Sequence, residues 1–253
     1  MEFEWLLIVI SVFTIWIASF CKIFVNPTST SFLCDGRTKN VLLVIAHPDD
    51  ESMFFTPTIN FLLSRGHNLY ILCLSTGNAD GLGSLRREEF YRACAVLQVP
   101  LDKVKIIDHP DLQDGFGHIW NHNLLAKTVG DAVSQYVIDT VITFDRYGVS
   151  GHCNHCDVHF GVRKLLHDME SPITAWELVS TNILRKYIGP IDLWCAKLFS
   201  MKSGSETIQF VLNKDPLKSF RAMAEHSSQW LWFRKLFVSL SSYSYVNSLK
   251  RIC

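Results

Sequence analysis

Short, unbroken apolar segments alternate with segments of helical periodicity between residues 41 and 167. The predicted strands are Val41–Ile45, Leu69–Leu74, Val104–Ile107 and Thr140–Phe144. The predicted helices that follow them are Met53–Arg65 (ending at Gly66), Leu85–Leu97, Ile119–Tyr136 and His155–His167. Strands that are apolar at every position are typical of parallel sheets covered by helices on both faces. The sequence therefore predicts an α/β fold with a Rossmann-like, mostly parallel sheet.

The chain beyond Ser171 has a weaker pattern. Leu178–Asn182 and Ile208–Leu212 are predicted to form further strands, and Phe220–Phe237 is predicted to form a helix. Short apolar segments of this kind give less certain element boundaries than the alternating segments before them.

The N-terminal segment is apolar on every side. Trp5–Val25 contains a single charged residue, Lys22. Roughly 20 mostly apolar residues are long enough to cross a bilayer as a helix. A buried core helix and a cleaved signal peptide are the alternatives, but signal peptides normally begin with positive charge, whereas Glu2 and Glu4 precede this segment. We therefore expect a membrane anchor over residues 1–25, a linker over 26–40 and a catalytic domain over 41–253.

The charge distribution predicts how the anchor is oriented. The basic residues Lys22, Arg37 and Lys39 follow the apolar segment, which places the remainder of the chain in the cytosol by the positive-inside rule. The formal net charge of zero shows no basic excess, so no nucleic-acid partner is expected. Eight cysteines in 253 residues are too sparse for a disulfide-based scaffold.

A cluster of ionisable residues follows the first predicted strand. His47-Pro48-Asp49-Asp50-Glu51 places one imidazole and three carboxylates in five positions. In open α/β sheets, functional sites lie beyond the carboxyl ends of strands. Adjacent carboxylates repel one another unless a cation compensates, so the cluster favours a metal site. Alternatively, Asp50 or Glu51 serves only to cap the next helix.

A second cluster follows the fourth predicted strand. His152 and His155 are three residues apart in a glycine-containing loop, and this loop is expected at the same edge of the sheet as the first cluster. Two ligands from the first loop and one histidine from the second leave an open coordination position, as in catalytic zinc sites. Cys153 and Cys156 form a Cys-x-x-Cys pair in the same segment, so a redox pair or a structural zinc site is an alternative.

The two clusters together resemble the zinc-dependent PIG-L/LmbE-like de-N-acetylase family. The resemblance extends over Val41–Phe55, Arg86–Pro100, Val141–His155, Asn182–Tyr187 and His226–Asn247. It implies that His47, Asp50 and His155 bind one zinc ion. It also implies that Asp49 is the general base and that His152 stabilises the developing oxyanion.

The resemblance also implies a substrate and a location. Arg86 and Asp111 are expected to contact substrate, although Arg86 beside Arg87 and Glu88 is equally consistent with exposed ion pairs. The implied reaction is hydrolysis of the N-acetyl group of a glycosylphosphatidylinositol lipid, N-acetylglucosaminylphosphatidylinositol. This is the second step of GPI-anchor biosynthesis, on the cytosolic face of the endoplasmic reticulum membrane. The alternatives are a de-N-acetylase of another N-acetylglucosamine conjugate and a non-catalytic membrane-tethered binding protein; the oligomeric state is left open.

A C-terminal segment mixes aromatic and basic residues. Trp230–Phe237 includes the adjacent residues Arg234 and Lys235. This composition suits an interfacial helix against anionic lipid headgroups, and it equally suits a core helix that ends in a solvated basic pair. His226, just upstream, is expected either to reach the site or to have a structural role.

Overall fold

A computed structural model describes residues 2–25, 32–33, 36–169, 173–202 and 208–252. Among these residues one seven-stranded sheet has the order β3-β2-β1-β4-β5-β7-β6. Its strands are β1 Asn40–Ile45, β2 Asn68–Cys73, β3 Val104–Ile106, β4 Thr140–Phe144, β5 Thr174–Leu178, β6 Gln209–Leu212 and β7 Val246–Arg251. The first five strands are parallel, and β7 pairs antiparallel with both β5 and β6. The predicted mostly parallel α/β fold is confirmed.

Helices connect the strands and cover the sheet. They are α1 Glu2–Val25, α2 Asp50–Met53, α3 Thr56–Ser64, α4 Gly83–Val96, α5 His122–Gln135, α6 Gly148–Gly151, α7 Cys153–Asp168, α8 Ile183–Lys186, α9 Asp192–Lys202, α10 Pro216–Glu225 and α11 Trp232–Leu240. The sheet between them forms the main hydrophobic core, to which β1 contributes the fully buried run Val41–Ile45.

The strand order places the site. The chain moves outward from β1 to β2 and β3, and then returns to place β4 on the other side of β1. Leu43 of β1 is therefore in register with Ile71 on one side and with Ile142 on the other. Such a reversal opens a crevice between the loops at the carboxyl ends of the two central strands. Both ionisable clusters lie in these loops.

The predicted helix Met53–Arg65 corresponds to α3, which begins later, at Thr56, because a break separates it from α2, which ends at Met53. The break falls at Phe54, whose carbonyl oxygen accepts a hydrogen bond from the Asn247 side chain. Asn247 also accepts from the backbone N–H of Thr58, so a residue of β7 satisfies the backbone groups that the break leaves free. At the other end the predicted stop at Gly66 is confirmed, because Gly66 has a φ of 75° and His67 N–H donates to Leu62 O.

The C-terminal half differs most from the sequence-based expectation. The strand at Ile208–Leu212 is confirmed by β6, but β5 ends where the predicted strand Leu178–Asn182 was expected to begin. The predicted helix Phe220–Phe237 is interrupted between α10 and α11, where His226 is fully buried. The contact of His226 with Glu51 outweighs the local helical periodicity at this point.

The apolar N-terminal segment forms α1. Within the described part of the chain, this helix alone has the length and composition needed to cross a membrane. Most of its side chains are exposed, whereas Ile23 is buried in a small cluster with Leu193 and Tyr245. The predicted linker 26–40 lies largely outside the described residues.

Candidate active site

Three histidines, His47 from the loop after β1 and His152 and His155 from the start of α7, meet beyond the carboxyl ends of β1 and β4. The ring centroid of His47 lies 5.3 Å from that of His155 and 4.8 Å from that of His152, and the latter two are 4.9 Å apart. Each ring offers a nitrogen atom within 4.8 Å of the other two, a group that could hold a metal ion. The two loops that the sequence singled out therefore form one site.

His155 is oriented with one ring nitrogen toward this site. Its Nδ1 lies 3.1 Å from the carbonyl oxygen of Gly148, and its ring stacks on Phe144 at 4.1 Å. Because a carbonyl oxygen only accepts, Nδ1 carries the proton and the Nε2 lone pair faces the site. Nε2 is buried and has no hydrogen-bond partner among the described residues.

Asp50 lies opposite that lone pair. Its Oδ1 is 3.1 Å from His155 Nε2, while its Oδ2 accepts hydrogen bonds from the backbone N–H groups of Ala46 and His47. Burial alone would raise the pKa of Asp50, but positive charge on the side of His155 and His47 outweighs burial and holds the pKa well below its usual range. With Nε2 of His155 unprotonated, a bound cation would have to supply that charge. A carboxylate oxygen and an imidazole lone pair this close repel each other unless a cation lies between them, so the pair fits a divalent metal.

His47 is held by a second carboxylate. Its Nε2 lies 3.1 Å from Oδ1 of Asp114 and 3.1 Å from Oδ1 of Asn154, so Nε2 carries a proton and Nδ1 faces Asp50 Oδ2 at 3.9 Å. Burial lowers the pKa of His47, but Asp114 and Asp50 outweigh burial and raise it. A histidine that donates its second N–H to a carboxylate is typical of metal ligands.

Asp114 is a site residue that the sequence analysis missed. The loop after β3 carries Asp108, Asp111 and Asp114, and nothing in the sequence shows which side chain turns inward. Asp114 is 11% exposed and contacts His47, whereas Asp111 is 73% exposed. Asp111 lies outside the histidine cluster and lines an adjoining cavity of about 630 Å³ together with Trp120.

Asp49 is buried beside the three histidines in an unusual backbone conformation. Its φ of 116° is rare for a residue with a side chain and marks local strain. Its Oδ2 lies 3.4 Å from Nη2 of Arg86 and 3.2 Å from Nη2 of Arg234. Burial raises the pKa of this carboxyl group, and the two guanidinium groups only partly offset the effect. A buried carboxylate with a raised pKa is suited to accept a proton near neutral pH.

Arg86 is a buried structural cation of the site. It donates from Nη1 to Gly77 O and Asp114, and from Nη2 to Pro48 O at 2.7 Å. Gly77 (φ 68°) permits this approach, because a Cβ there would lie 2.5 Å from Arg86 Cζ. The alternative of an exposed ion pair is wrong for Arg86, which is buried. The neighbouring Arg87 pairs with Asp108 at the surface.

Arg234 also reaches the site, although its position beside Lys235 suggested a solvated basic pair. It contacts Asp49 and hydrogen-bonds to Gln229. No sequence signal distinguishes the two basic residues, because only the packing of α11 decides which one turns inward.

Glu51 and His226 form a buried pair beneath Asp49. Glu51 Oε2 accepts the backbone N–H of Asp49 at 3.0 Å, and its Oε1 lies 2.7 Å from Nε2 of His226. Both side chains are fully buried. Burial lowers the pKa of His226, but Glu51 outweighs burial and raises it, which favours the imidazolium form of His226. Glu51 thus connects the strained backbone of Asp49 to the segment between α10 and α11.

Removing His226 is expected to destabilise the whole chain. His226→Ala leaves the Glu51 carboxylate buried without its cation, which typically costs about 3 kcal/mol. We expect the melting temperature of the full chain in detergent to fall by roughly 6–12 °C. His167→Ala, at an exposed position, is the control and should melt like the parent chain. A shift no larger than that of the control would contradict the role of this pair.

His152 is the third histidine of the cluster. Partial burial, together with His47 and His155 nearby, lowers the pKa of His152 to about 4. Its ring is therefore neutral at pH 7. Its Nδ1 is buried and has no hydrogen-bond partner in the described part of the chain. A neutral imidazole at this position can donate one N–H to a developing negative charge or offer one lone pair to a metal.

The neighbouring cysteines do not join the cluster. Cys153 Sγ makes a weak contact with Gly115 O, and Cys156 is a free, partly buried thiol. Burial raises the pKa of Cys156, and Asp157 and Asp145 raise it further, so it is protonated at neutral pH. Since the thiolate is the reactive and metal-binding form, this geometry does not favour the Cys-x-x-Cys alternative.

Known proteins are similar to this chain in sequence over most of its length. The family model "PIG-L: GlcNAc-PI de-N-acetylase" matches residues 42–166. A probable N-acetylglucosaminyl-phosphatidylinositol de-N-acetylase of Dictyostelium discoideum is 36% identical over 241 residues, covering 85% of this chain and 93% of that protein. The N-acetylglucosaminyl-phosphatidylinositol de-N-acetylase of Bos taurus is 38% identical over 216 residues, covering 85% and 84%.

A solved structure shows the same fold. The N,N'-diacetylchitobiose deacetylase of Pyrococcus horikoshii superposes with a TM-score of 0.63 at 14% identity, covering 93% of this chain and 92% of that one. Identity this low supports the architecture, whereas the curated relatives match in sequence over most of their length. The chain therefore belongs to the PIG-L family of GlcNAc-PI de-N-acetylase enzymes.

Proposed function

We propose that this chain hydrolyses the N-acetyl group of N-acetylglucosaminylphosphatidylinositol, releasing acetate and glucosaminylphosphatidylinositol. Support comes from relatives of that name at 36% and 38% identity over most of the chain. The observation that carries the chemistry is the approach of His155 Nε2 to Asp50 Oδ1 at 3.1 Å, beside the buried carboxylate of Asp49. This arrangement combines a cation site with a neighbouring proton acceptor.

One zinc ion is the proposed cofactor, and His47, Asp50 and His155 are its proposed ligands. The three side chains suit zinc because two imidazoles and one carboxylate leave a position open for water or substrate. When bound there, zinc polarises an amide carbonyl and lowers the pKa of a bound water to about 7. Asp114 and Gly148 O hold the two imidazoles with their remaining nitrogens turned inward.

The remaining side chains have separate proposed roles in proton transfer, oxyanion stabilisation and positioning. Asp49 accepts a proton from the attacking water and passes it to the nitrogen of the leaving glucosamine, so its raised pKa serves both steps. His152 donates a hydrogen bond from its ring N–H to the oxyanion that develops on the acetyl carbonyl. Removing such a donor typically costs about 3–4 kcal/mol of transition-state stabilisation. Arg86 keeps Asp49 and Asp114 in place, and Asp111 contacts the substrate from the adjoining cavity.

The proposed location follows from α1 and the substrate. A glycosylphosphatidylinositol lipid remains in the bilayer, so an enzyme tethered by one apolar helix meets it at a high effective concentration. We place α1 across the endoplasmic reticulum membrane and the catalytic domain on its cytosolic face, because Lys22 lies in the last turn of the helix and Arg37 and Lys39 follow it. The reaction is then the second step of GPI-anchor biosynthesis.

The direct test uses the full chain in detergent with acetyl-labelled N-acetylglucosaminylphosphatidylinositol. We expect labelled acetate and a free amine on the lipid product. The comparison substrate is a water-soluble N-acetylglucosamine conjugate without phosphatidylinositol, on which we expect at most a few per cent of the rate. Release from the soluble conjugate alone would instead support a different deacetylase, and release from neither would support a non-catalytic binding protein.

A further inference from the structure

Large apolar side chains are exposed on two short helices near the site. They belong to α8 and α11 and form what we call the apolar ridge: Ile183, Leu184, Leu231, Trp232, Phe233 and Leu236. Leu184 is 78% exposed and Trp232 is 73% exposed. Exposed clusters of this kind mark interaction surfaces.

A ring contact links the residue that follows α8 to the buried side of α11. Phe237 and Val238 of α11 face inward and are buried. The Phe237 ring contacts the ring of Tyr187, the residue that follows α8, with centroids 6.0 Å apart. This contact places the end of α8 beside α11, and both helices carry large exposed apolar side chains.

The last turns of α1 dock beside this surface. Trp16 and Phe20 pack against the ring of Tyr245 at 6.0 and 6.1 Å, and the Tyr245 hydroxyl donates to Ser239 O of α11 at 2.7 Å. Ser19 accepts a hydrogen bond from Trp194 of α9. Tyr245 thus connects the apolar N-terminal helix directly to the helix that carries most of the ridge.

If α1 spans the bilayer, its length determines how deep the apolar ridge lies in the membrane. Glu4–Val25 has 22 residues, or about 33 Å of helix, which only just covers a hydrocarbon core of roughly 30 Å. The part before Trp16, from Trp5 to Ile15, is only about 17 Å long. If α1 crosses the bilayer, its docked turns from Trp16 to Ile23 must also lie in the hydrocarbon. The domain surface packed on those turns must lie at the same depth.

We propose that the apolar ridge inserts into the cytosolic leaflet of the bilayer, so that the catalytic domain is partly immersed in the membrane. The inference rests on the membrane anchor of the proposed function. It deepens that function, because Arg234 of the same helix α11 contacts Asp49 in the site. With α11 in the interface, the site opens at headgroup level, and a glycolipid is reached without leaving the bilayer.

The test maps the lipid contacts of the full chain in phosphatidylcholine vesicles. The vesicles contain a phospholipid with a diazirine on its acyl chain, and labelled peptides are identified by mass spectrometry after illumination. We expect adducts on α1 and on the peptides that contain Leu184 and Trp232. Leu101, which is also exposed but lies beside β3 at the opposite edge of the sheet, should remain unlabelled. Adducts confined to α1 would overturn the proposal.

Matched variants connect the ridge to catalysis. The measured quantity is the ratio of two rates: acetate release from the lipid in vesicles, divided by release from the same headgroup without acyl chains. Leu184→Glu and Trp232→Glu should lower this ratio by about tenfold. Leu101→Glu is the control and should leave this ratio unchanged. An unchanged ratio in the ridge variants would overturn the proposal while leaving the deacetylase intact. Failure of the proposed function is seen separately, as absence of acetate from the parent chain, and does not affect the photolabelling result.

Discussion

Replacing Asp49 by Asn is expected to lower kcat by about a thousandfold while the metal stays bound. General acid–base catalysis by one positioned side chain typically contributes 10²–10⁴-fold, and the amide cannot accept the proton of water. The substitution retains the size of the side chain, and the proposed ligands His47, Asp50 and His155 are untouched. The measurements are the steady-state rate of acetate release and the metal content by elemental analysis.

Asp108→Asn is the matched control for this variant. Asp108 is a half-exposed carboxylate that pairs with Arg87 at the surface, outside the histidine cluster. We expect it to keep both the rate and the metal. A rate for Asp49→Asn within threefold of the parent would remove Asp49 as the general base. Loss of metal in that variant would instead make Asp49 part of the ligand set.

Replacing His155 by Ala is expected to remove both metal and activity. His155 Nε2 is the buried, unsatisfied nitrogen that faces Asp50, so its loss removes one proposed ligand and leaves that carboxylate without its partner. We expect the bound metal to fall from about one per chain to less than about a tenth, and acetate release to fall below detection. Elemental analysis of the purified full chain measures the first quantity independently of the second.

His122→Ala is the control for the metal measurement. This histidine pairs with Asp157 and lies outside the group of three. It should retain the metal content of the parent chain. Because His155 is buried, His155→Gln is measured alongside as a variant that better preserves the volume of the side chain. Full metal content in both His155 variants, with unchanged melting temperatures, would contradict the assignment of this residue as a ligand.

The parallel part of the fold was predictable because its signals are local. The run Val41–Ile45 is buried on both faces, so every position is apolar and the strand is visible without knowledge of its neighbours. His47 and His155 follow the central strands β1 and β4, and the carboxyl ends of parallel strands share one edge. Those two facts are enough to bring residues more than 100 positions apart into one site.

The remaining features depend on contacts that the sequence does not show. β7 has no continuous apolar run, because the polar residues Asn247 and Ser248 lie between Val246 and Leu249. Asn247 is polar because its side chain hydrogen-bonds to the backbone at the break between α2 and α3. His226 interrupts the predicted C-terminal helix because its side chain pairs with Glu51. The sequence does not show this contact, because the two residues are 175 positions apart. Asp114 and Arg234 reach the site through the same kind of tertiary packing. Neither has a neighbouring residue pattern that marks it as different from Asp111 or Lys235.

The most direct test of the account is the metal dependence of acetate release from labelled N-acetylglucosaminylphosphatidylinositol. The full chain is assayed as purified, after treatment with a chelator, and after addition of one equivalent of zinc. We predict that release stops in the chelator and returns with zinc, and that zinc restores nothing in the His155→Ala variant. Undiminished release from a chain that elemental analysis shows to be free of metal would contradict the metal-assisted hydrolysis proposed for this site.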